Sequence, residues 1–175
     1  MPFKKLHSDI KEKLESLEIS TPTPFQKASI PLIKSGANIY CIAPKDSGKS
    51  TTIILTTLQK LKCEEVGSAP RALVLVENRD SAFALYDSFL TYTRHTSLRV
   101  YACDDKLHIE MLTSEVFEGV DILIATPKTV CKLLLSEGLN ITQLKIFNID
   151  DADFLVSKSA YTDLMAITQS IHKCQ

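Results

Sequence analysis

Apolar, β-prone runs alternate with helical patterns along most of this 175-residue chain. The runs lie at residues 39–43, 72–76, 98–102, 120–125 and 144–149. Between them, the spacing of apolar residues predicts helices at 49–61, 80–92, 106–117 and 129–135. Strands that alternate with helices in this way pair in parallel, because right-handed crossovers bring each strand back in the same direction. The pattern therefore predicts an α/β fold of three layers, with helices on both faces of a mostly parallel sheet.

Two more helices are predicted before the first run. Ile10, Leu14 and Leu17 recur at helical spacing, and Ser8 precedes them as a candidate cap. The closely spaced prolines at 22 and 24 then require extended backbone, because each proline restricts the residue before it. A second helix is predicted at residues 25–34.

The charges of the chain are balanced, with 20 Lys and Arg residues against 21 Asp and Glu residues. Such a chain has no global basic field, so any contact with nucleic acid has to be local. A hydrophobic content of 45% is enough to fill the core of one domain. The five cysteines lack the spacing of a metal site, and no apolar run is long enough to cross a bilayer. We therefore expect one soluble, cytoplasmic domain without a membrane partner.

The first run leads directly into a short polar loop that ends in Gly48-Lys49-Ser50. A loop between a strand and a helix can hold phosphates, because backbone N–H groups at the helix N-terminus face the anion. In such a loop Lys49 would reach the outer phosphates, and the Ser50 hydroxyl would bind Mg²⁺. The full pattern opens with glycine, where this chain has Ala43, and Asp46 adds a carboxylate. The competing interpretation is an ordinary strand-to-helix turn with an exposed lysine.

The last run ends in three carboxylates, those of Asp150, Asp151 and Asp153. A site for Mg²⁺ and a nucleotide needs an acidic group at the end of a strand near the phosphate loop. Asp150 would then hold Mg²⁺, and Asp151 would orient the attacking water. An acidic first turn of the next helix explains the same residues without catalysis. The Gly-Lys-Ser loop about 100 residues earlier favours the nucleotide site.

Five motifs, in the same order along the chain, resemble those of the first RecA-like domain of DEAD-box RNA helicases. They lie at 22–26 (Pro-Thr-Pro-Phe-Gln), 43–50, 73–80, 125–129 and 150–153 (Asp-Asp-Ala-Asp). The resemblance implies a RecA-like P-loop NTPase fold, with ATP and Mg²⁺ as cofactors and RNA as a partner. It implies that Gln26 reads the adenine edge and that Phe3 packs on the base.

For the phosphates, the resemblance implies a cradle made by Ala43, Lys45, Ser47, Gly48, Lys49 and Ser50. Ser50 and Asp150 would hold the metal, and the catalytic residues would be Lys49, Asp150 and Asp151. For RNA, it implies backbone contacts by Arg79, Thr126 and Lys128, which position a strand without reading its bases. Each of these three is equally explained as an exposed polar residue at a loop end.

Residues 170–175 resemble the approach to the family's Ser-Ala-Thr motif, which this sequence does not reach. We therefore expect residues 1–175 to form one N-terminal RecA-like domain whose partner, a second RecA-like domain, is missing. Alone, such a domain should not unwind a duplex.

Several residues depart from the family pattern. Asp46 replaces a glycine, which Asp tolerates if its backbone is left-handed. Its charge about 5 Å from a phosphate would cost up to ~3 kcal/mol, much of which Lys45 could cancel. Asp151 is one methylene shorter than the usual glutamate, so we expect slow turnover. Asp104 and Asp105 stand near the family's paired glycines, where solvated caps of the next helix explain them better than any role.

Three functional classes stay open. The first is an ATP-dependent RNA helicase or RNA-remodelling protein, which hydrolyses ATP in its full-length form and is favoured by the retained nucleotide-site residues. The second is a degenerate, catalytically weak helicase domain that serves as an RNA-binding or protein-interaction platform, which the altered motifs favour. The third is a different P-loop NTPase, against which Gln26 and its flanking prolines argue.

Overall fold

Across residues 2–175, which the computed structural model describes, four parallel strands form one sheet. They are β1 (Ala72–Leu75), β2 (Val100–Ala102), β3 (Ile122–Ala125) and β4 (Ile146–Ile149), in the order β2-β3-β1-β4. Strand β1 pairs on both sides, with Leu75 opposite Ala125 in β3 and Ile149 in β4. The carboxyl ends of the strands therefore meet at one edge of the sheet.

The same residues contain seven α-helices and two short 3-10 helices. The α-helices are α1 (Ser8–Ser16), α2 (Pro24–Lys34), α3 (Lys49–Leu61), α4 (Arg79–Thr93), α5 (Ile109–Phe117), α6 (Pro127–Leu135) and α7 (Lys158–Gln169). The 3-10 helices are Pro2–Lys5 and Ala152–Val156. Helix α3 has the bounds predicted from the sequence, whereas α7 was not predicted. None of these helices is long and apolar enough to cross a membrane.

Two hydrophobic cores cover the two faces of the sheet. Because successive strand residues point to opposite faces, Val74 packs with α3 and α4 residues such as Leu55 and Phe89, while Leu73 packs with α6 residues such as Leu133. Strands β1 and β3 are buried along their whole lengths. This arrangement confirms the predicted three-layer α/β fold.

The predicted strand at 39–43 is wrong. No backbone–backbone hydrogen bond involves these residues within the described range, and Tyr40 and Ile42 are 83% and 88% exposed. A β-prone run becomes a strand only where a neighbouring strand supplies hydrogen bonds. Beyond β4, such bonds come only from the end of the described chain, where the Phe147 N–H donates to the Gln175 carbonyl at 2.7 Å. A cleft separates the run from β4.

The predicted cap of the first helix is also wrong. His7, not Ser8, is the N-cap residue of α1, and its side chain makes no capping hydrogen bond. The Ser8 hydroxyl instead donates to the Asp9 carboxylate at 2.9 Å. An ionised acceptor makes the stronger hydrogen bond, so the hydroxyl is held there.

A buried ion network ties together the amino ends of three strands. Arg71, Arg99 and Asp121 directly precede β1, β2 and β3, and the Asp121 side chain is 0% exposed. Its carboxylate accepts hydrogen bonds from Arg71 Nη2 at 2.6 Å and Arg99 Nε at 2.9 Å. Burial alone would raise the pKa of Asp121, but the hydrogen bonds from the two arginines outweigh it and lower the pKa. Asp121 is therefore ionised and fully paired.

Candidate nucleotide site

The phosphate loop joins the unpaired run 39–43 to α3. Asp46 and Gly48 both have left-handed backbone, with φ angles of 61° and 92°. This is the conformation in which we expected Asp46 to replace glycine at little cost. At Gly48, an added Cβ would lie 2.6 Å from Gln26 Nε2, so only glycine fits against that side chain. Helix α3 then begins at Lys49, and its N-terminus faces the loop.

Two parts of the chain that are far apart in sequence meet at the start of α3. The Ser50 hydroxyl donates to Asp150 Oδ2 at 2.9 Å. Lys49 Nζ lies 3.5 Å from Asp151 Oδ1 and donates to the Ala43 carbonyl at 3.0 Å. The loop and the acidic end of β4 therefore form one cluster, with two aspartates, a lysine and a serine at its centre. Asp151 itself has left-handed backbone, with φ at 45°.

The electrostatics of this cluster favour a bound cation. Burial raises the pKa of Asp150, and the nearby Asp151 adds to the rise, while the hydrogen bond from Ser50 opposes it. A hydroxyl and a carboxylate are hard oxygen ligands of the kind that Mg²⁺ prefers. In the described residues, the Ser47 hydroxyl is enclosed without a hydrogen-bond partner. These residues fit a Mg²⁺-bound phosphate group.

The first turn of α2 is bound to the loop. The Thr23 hydroxyl donates to the Ser47 carbonyl at 2.7 Å, and the Gln26 side chain accepts from the Thr23 N–H at 3.0 Å in a capping box. Gln26 is buried, and within residues 2–175 its Nε2 group makes no hydrogen bond. Both N–H donors of the Gln26 amide thus stay available next to the phosphate loop.

A cleft of about 390 Å³ lies between the run 39–43, the start of α3 and the end of β4. This volume is within the range of ligand-binding clefts. Phe25, which the sequence analysis did not single out, lines it together with Lys49 and Asp150. Its position next to Gln26 was the only signal in the sequence.

Phe3 is not brought to this cleft. Its side chain is 8% exposed and belongs to the hydrophobic core with Leu6, Ile10 and Ile30. The short 3-10 helix that carries Phe3 packs against α2, so the ring fills the core. This position gives no support to the predicted stacking of Phe3 on a base.

The three residues predicted to contact RNA have different environments. The Thr126 hydroxyl donates to Thr129 Oγ1 at 3.0 Å, and Thr126 is the N-cap of α6. Lys128 is exposed and makes no side-chain hydrogen bond or ion pair in the described part of the chain. Arg79 is held by both carboxylate oxygens of Asp104, at 2.6 and 2.7 Å. The interpretation of Asp104 as a merely solvated cap is therefore wrong, because a guanidinium is its main partner.

The sequence of this chain is similar to those of known proteins. The model of the DEAD/DEAH box helicase family matches residues 23–175. DEAD-box ATP-dependent RNA helicase 29 of Oryza sativa subsp. indica is 32% identical over 137 residues, 78% of this chain and 16% of that protein. The pre-mRNA-processing ATP-dependent RNA helicase prp-5 of Neurospora crassa is 27% identical over 168 residues, 93% of this chain and 14% of that protein. The chain thus spans about a seventh of the length of these relatives.

A solved structure shares the fold. The crystal structure of a DEAD box protein from the hyperthermophile Methanococcus jannaschii matches with a TM-score of 0.86 at 20% identity. The match covers 96% of this chain and 46% of that one. The family model extends over far more than half of the present sequence, and the chain belongs to the DEAD/DEAH box helicase family.

Proposed function

We propose that this chain binds ATP with Mg²⁺ and forms the first RecA-like half of an ATP-dependent RNA helicase or RNA remodeller. The observation that carries the proposal is the 2.9 Å hydrogen bond between Ser50 and Asp150, which joins the phosphate loop to the acidic strand end. Both relatives described above are named as ATP-dependent RNA helicases. A second RecA-like domain would complete the site and hold RNA against this one.

Each residue of the cluster has a proposed task. Ser50 and Asp150 would hold Mg²⁺, and bound Mg²⁺ supplies positive charge at the phosphates. Lys49 would leave the Ala43 carbonyl, to which it donates at 3.0 Å, and donate to the outer phosphates instead. Ala43, Lys45, Ser47 and Gly48 would line the phosphates, with the enclosed Ser47 hydroxyl as a donor.

Gln26 would select adenine. Its side-chain oxygen already accepts from the Thr23 N–H, which fixes the orientation of the amide. The Nε2 group can then donate to N7 of adenine, and the second lone pair of the side-chain oxygen can accept from the adjacent exocyclic amino group. A guanine presents a different pattern of donors and acceptors, so we propose a preference for ATP over GTP.

Asp151 would orient the attacking water. Its side chain is mostly exposed and lies 3.5 Å from Lys49, on the cleft side of the loop. One methylene less than glutamate shortens its reach by about 1 Å, and a misplacement of that size can slow a reaction about a hundredfold. We therefore propose slow hydrolysis. The cytoplasmic location stays a prediction from the sequence.

Calorimetric titration with Mg²⁺·ADP and Mg²⁺·GDP tests the proposal. We expect ADP binding that is tighter than GDP binding and that weakens at least tenfold in Lys49→Ala, since hydrogen bonds to charged groups contribute about 1.5–3 kcal/mol. The exposed Lys11→Ala on α1 is the matched control and should bind like the parent chain. No binding up to millimolar nucleotide would contradict the proposal, and equal ADP and GDP affinity would remove the role of Gln26.

A second candidate is the degenerate platform, which one observation favours. Arg79, a residue predicted to contact RNA, is already engaged by Asp104 within the same chain. RNA-stimulated ATP turnover in the full-length protein would contradict the platform, whereas RNA or protein binding without turnover would support it.

A further inference from the structure

Arg79 and Asp104 form a two-pronged ion pair at the carboxyl end of the sheet. Arg79 is the first residue of α4, just after β1, and Asp104 follows β2. The guanidinium donates from Nε to Oδ1 at 2.6 Å and from Nη2 to Oδ2 at 2.7 Å. Both oxygens of the carboxylate therefore meet two parallel N–H groups, the strongest geometry that arginine offers to an anion.

Both members of the pair are also fixed from other sides. The guanidinium lies over the Phe83 ring, with its carbon 4.7 Å from the ring centre. Asp104 Oδ1 also accepts from the Lys106 N–H at 3.1 Å, and the Asp104 side chain is 18% exposed. The hydrogen bond from Arg79 and that from Lys106 lower the pKa of Asp104 to about 2. The contact is therefore charged throughout the physiological pH range.

A phosphodiester group presents the same pair of oxygens to a guanidinium as a carboxylate does. One guanidinium edge cannot donate to both at once. The remaining charges around Arg79 do not compensate, because Asp80 Oδ1 lies 4.0 Å from Nη1, and Asp105 is the next residue after Asp104. A strand that approaches Arg79 thus meets the carboxylates of Asp80, Asp104 and Asp105, with Lys106 as a further cation next to Asp104.

We propose that Asp104 binds the guanidinium of Arg79 where a backbone phosphate of RNA would otherwise bind. The chain thereby blocks part of its own nucleic-acid surface. The inference rests on the proposed function, in which this edge of the sheet faces RNA. It makes Asp104 an internal competitor. RNA then gains Arg79 only in the fraction of molecules in which the ion pair is open, and the apparent affinity is the intrinsic affinity multiplied by that fraction.

The competition should be independent of base sequence and of sugar, because Arg79 would contact only phosphate. It should also be local, because Asp105 carries the same charge without the contact to Arg79. These two properties separate the proposal from a general repulsion of nucleic acid by acidic residues.

Fluorescence anisotropy with a labelled ten-nucleotide oligouridylate measures the effect on the whole chain. We expect Asp104→Asn to tighten RNA binding about tenfold at low salt, since the arginine becomes free for phosphate. Asparagine keeps the acceptor for the Lys106 N–H. Asp105→Asn removes an equal charge one residue away and should change the affinity by no more than about twofold. Asp104→Ser is a second variant in case the first fails to fold.

Three further arms test the assignment. The double variant Asp104→Asn with Arg79→Ala should not show the tenfold gain in RNA affinity. The gain in affinity that Asp104→Asn gives should be the same for an oligothymidylate and a mixed-sequence RNA as for oligouridylate. Equal effects of the Asp104 and Asp105 variants would overturn the inference, as would a gain that survives without Arg79 or that depends on base sequence.

The titration with ADP separates this inference from the proposed function. If neither Asp104 variant binds RNA while both bind ADP, Asp104 is not what closes the surface and the inference alone fails. If the parent chain does not bind ADP, the proposed nucleotide site fails, whatever the RNA measurements give.

Discussion

At the amino end of the sheet Asp121 is paired with two arginines, whereas at the carboxyl end Asp150 receives one hydrogen bond from a serine hydroxyl. Both are aspartates next to buried strands, and burial raises the pKa of each. The arginines reverse the effect for Asp121, so its pKa is lowered, while that of Asp150 stays raised. At the amino end the buried carboxylate is compensated by two arginines of the protein, and at the carboxyl end Asp150 is a carboxylate that a cation would stabilise.

The largest expected effect is a loss of stability caused by a substitution at the amino end of the sheet. Asp121→Asn leaves Arg71, which is 5% exposed in its side chain, without a carboxylate. Removing one partner of a buried ion pair costs about 3–5 kcal/mol, and we expect that loss in the free energy of unfolding. Urea denaturation measures it. Asp80→Asn, at a 96% exposed side chain, is the control, and a similar small change in both variants would contradict a structural role for Asp121.

At the carboxyl end of the sheet, we expect a substitution to weaken ligand binding without destabilising the fold. Asp150→Asn keeps an acceptor for Ser50 but removes the charge that would hold Mg²⁺. We expect Mg²⁺-dependent ADP affinity to fall about 10- to 100-fold, the size of a lost charged contact of roughly 1.5–3 kcal/mol. Calorimetry with and without EDTA measures the change. Unaltered Mg²⁺ dependence would show that Asp150 does not hold the metal.

A smaller gain is expected from Asp46→Gly. Glycine adopts the left-handed backbone of this position freely, and the substitution removes a negative charge from the phosphate loop. Because the charge of the neighbouring Lys45 would offset part of that of Asp46, we expect ADP binding to tighten only about three- to tenfold. The same titration checks it. Weaker binding in the glycine variant would show that Asp46 supports the loop instead of opposing the ligand.

The smallest effect concerns stability and pH. Asp150 has a raised pKa in the folded protein, so its ionisation opposes folding at neutral pH. Asp150→Asn should therefore be slightly more stable than the parent at pH 7. This advantage should disappear as the pH falls towards about 4, the pKa of an unfolded aspartate.

Asp121 should show the reverse dependence, which gives the comparison an internal check. Its folded-state pKa is lowered, so its stabilising effect is present above the unfolded pKa and lost as the pH falls through the folded pKa. The stabilities of the parent and Asp121→Asn should thus converge only as the pH falls below about 4, through the lowered pKa of Asp121. Unfolding curves between pH 3 and 7 would contradict both assignments if the two variants followed the same trend.

The sequence predicted those structural features that depend on residues close together in the chain. Helix α3 has its predicted bounds because Gly48 precedes it and its apolar residues recur at helical spacing. Asp46 was expected to replace glycine at little cost if its backbone were left-handed, and its backbone has that conformation. The chemistry of Lys49, Ser50 and Asp150 was predicted as a set, and the structure brings these residues together, although their binding roles stay predictions.

What the sequence could not reveal depends on partners far along the chain. Residues 39–43 have the composition of a strand, but pairing depends on a neighbour that composition does not specify. Asp104 and Arg79 are 25 positions apart in the sequence. They form an ion pair because β2 and β1, with β3 between them, run parallel and end at the same edge of the sheet. The family resemblance implied that Phe3 packs on a base, which stays a prediction, and in the structure the ring of Phe3 lies in the hydrophobic core.

The unpaired run has a consequence for the behaviour of the protein in solution. Residues 39–43 are Ile-Tyr-Cys-Ile-Ala, without a charge or a proline, and their backbone groups pair with no other backbone of the described chain. Such a segment is a template for intermolecular β-pairing and aggregation, against which natural proteins place charged residues. In concentrated samples, this segment should therefore be the first to mediate association between molecules, which makes the samples polydisperse. Replacing the exposed Ile42 by lysine should extend the concentration range in which the protein stays monodisperse.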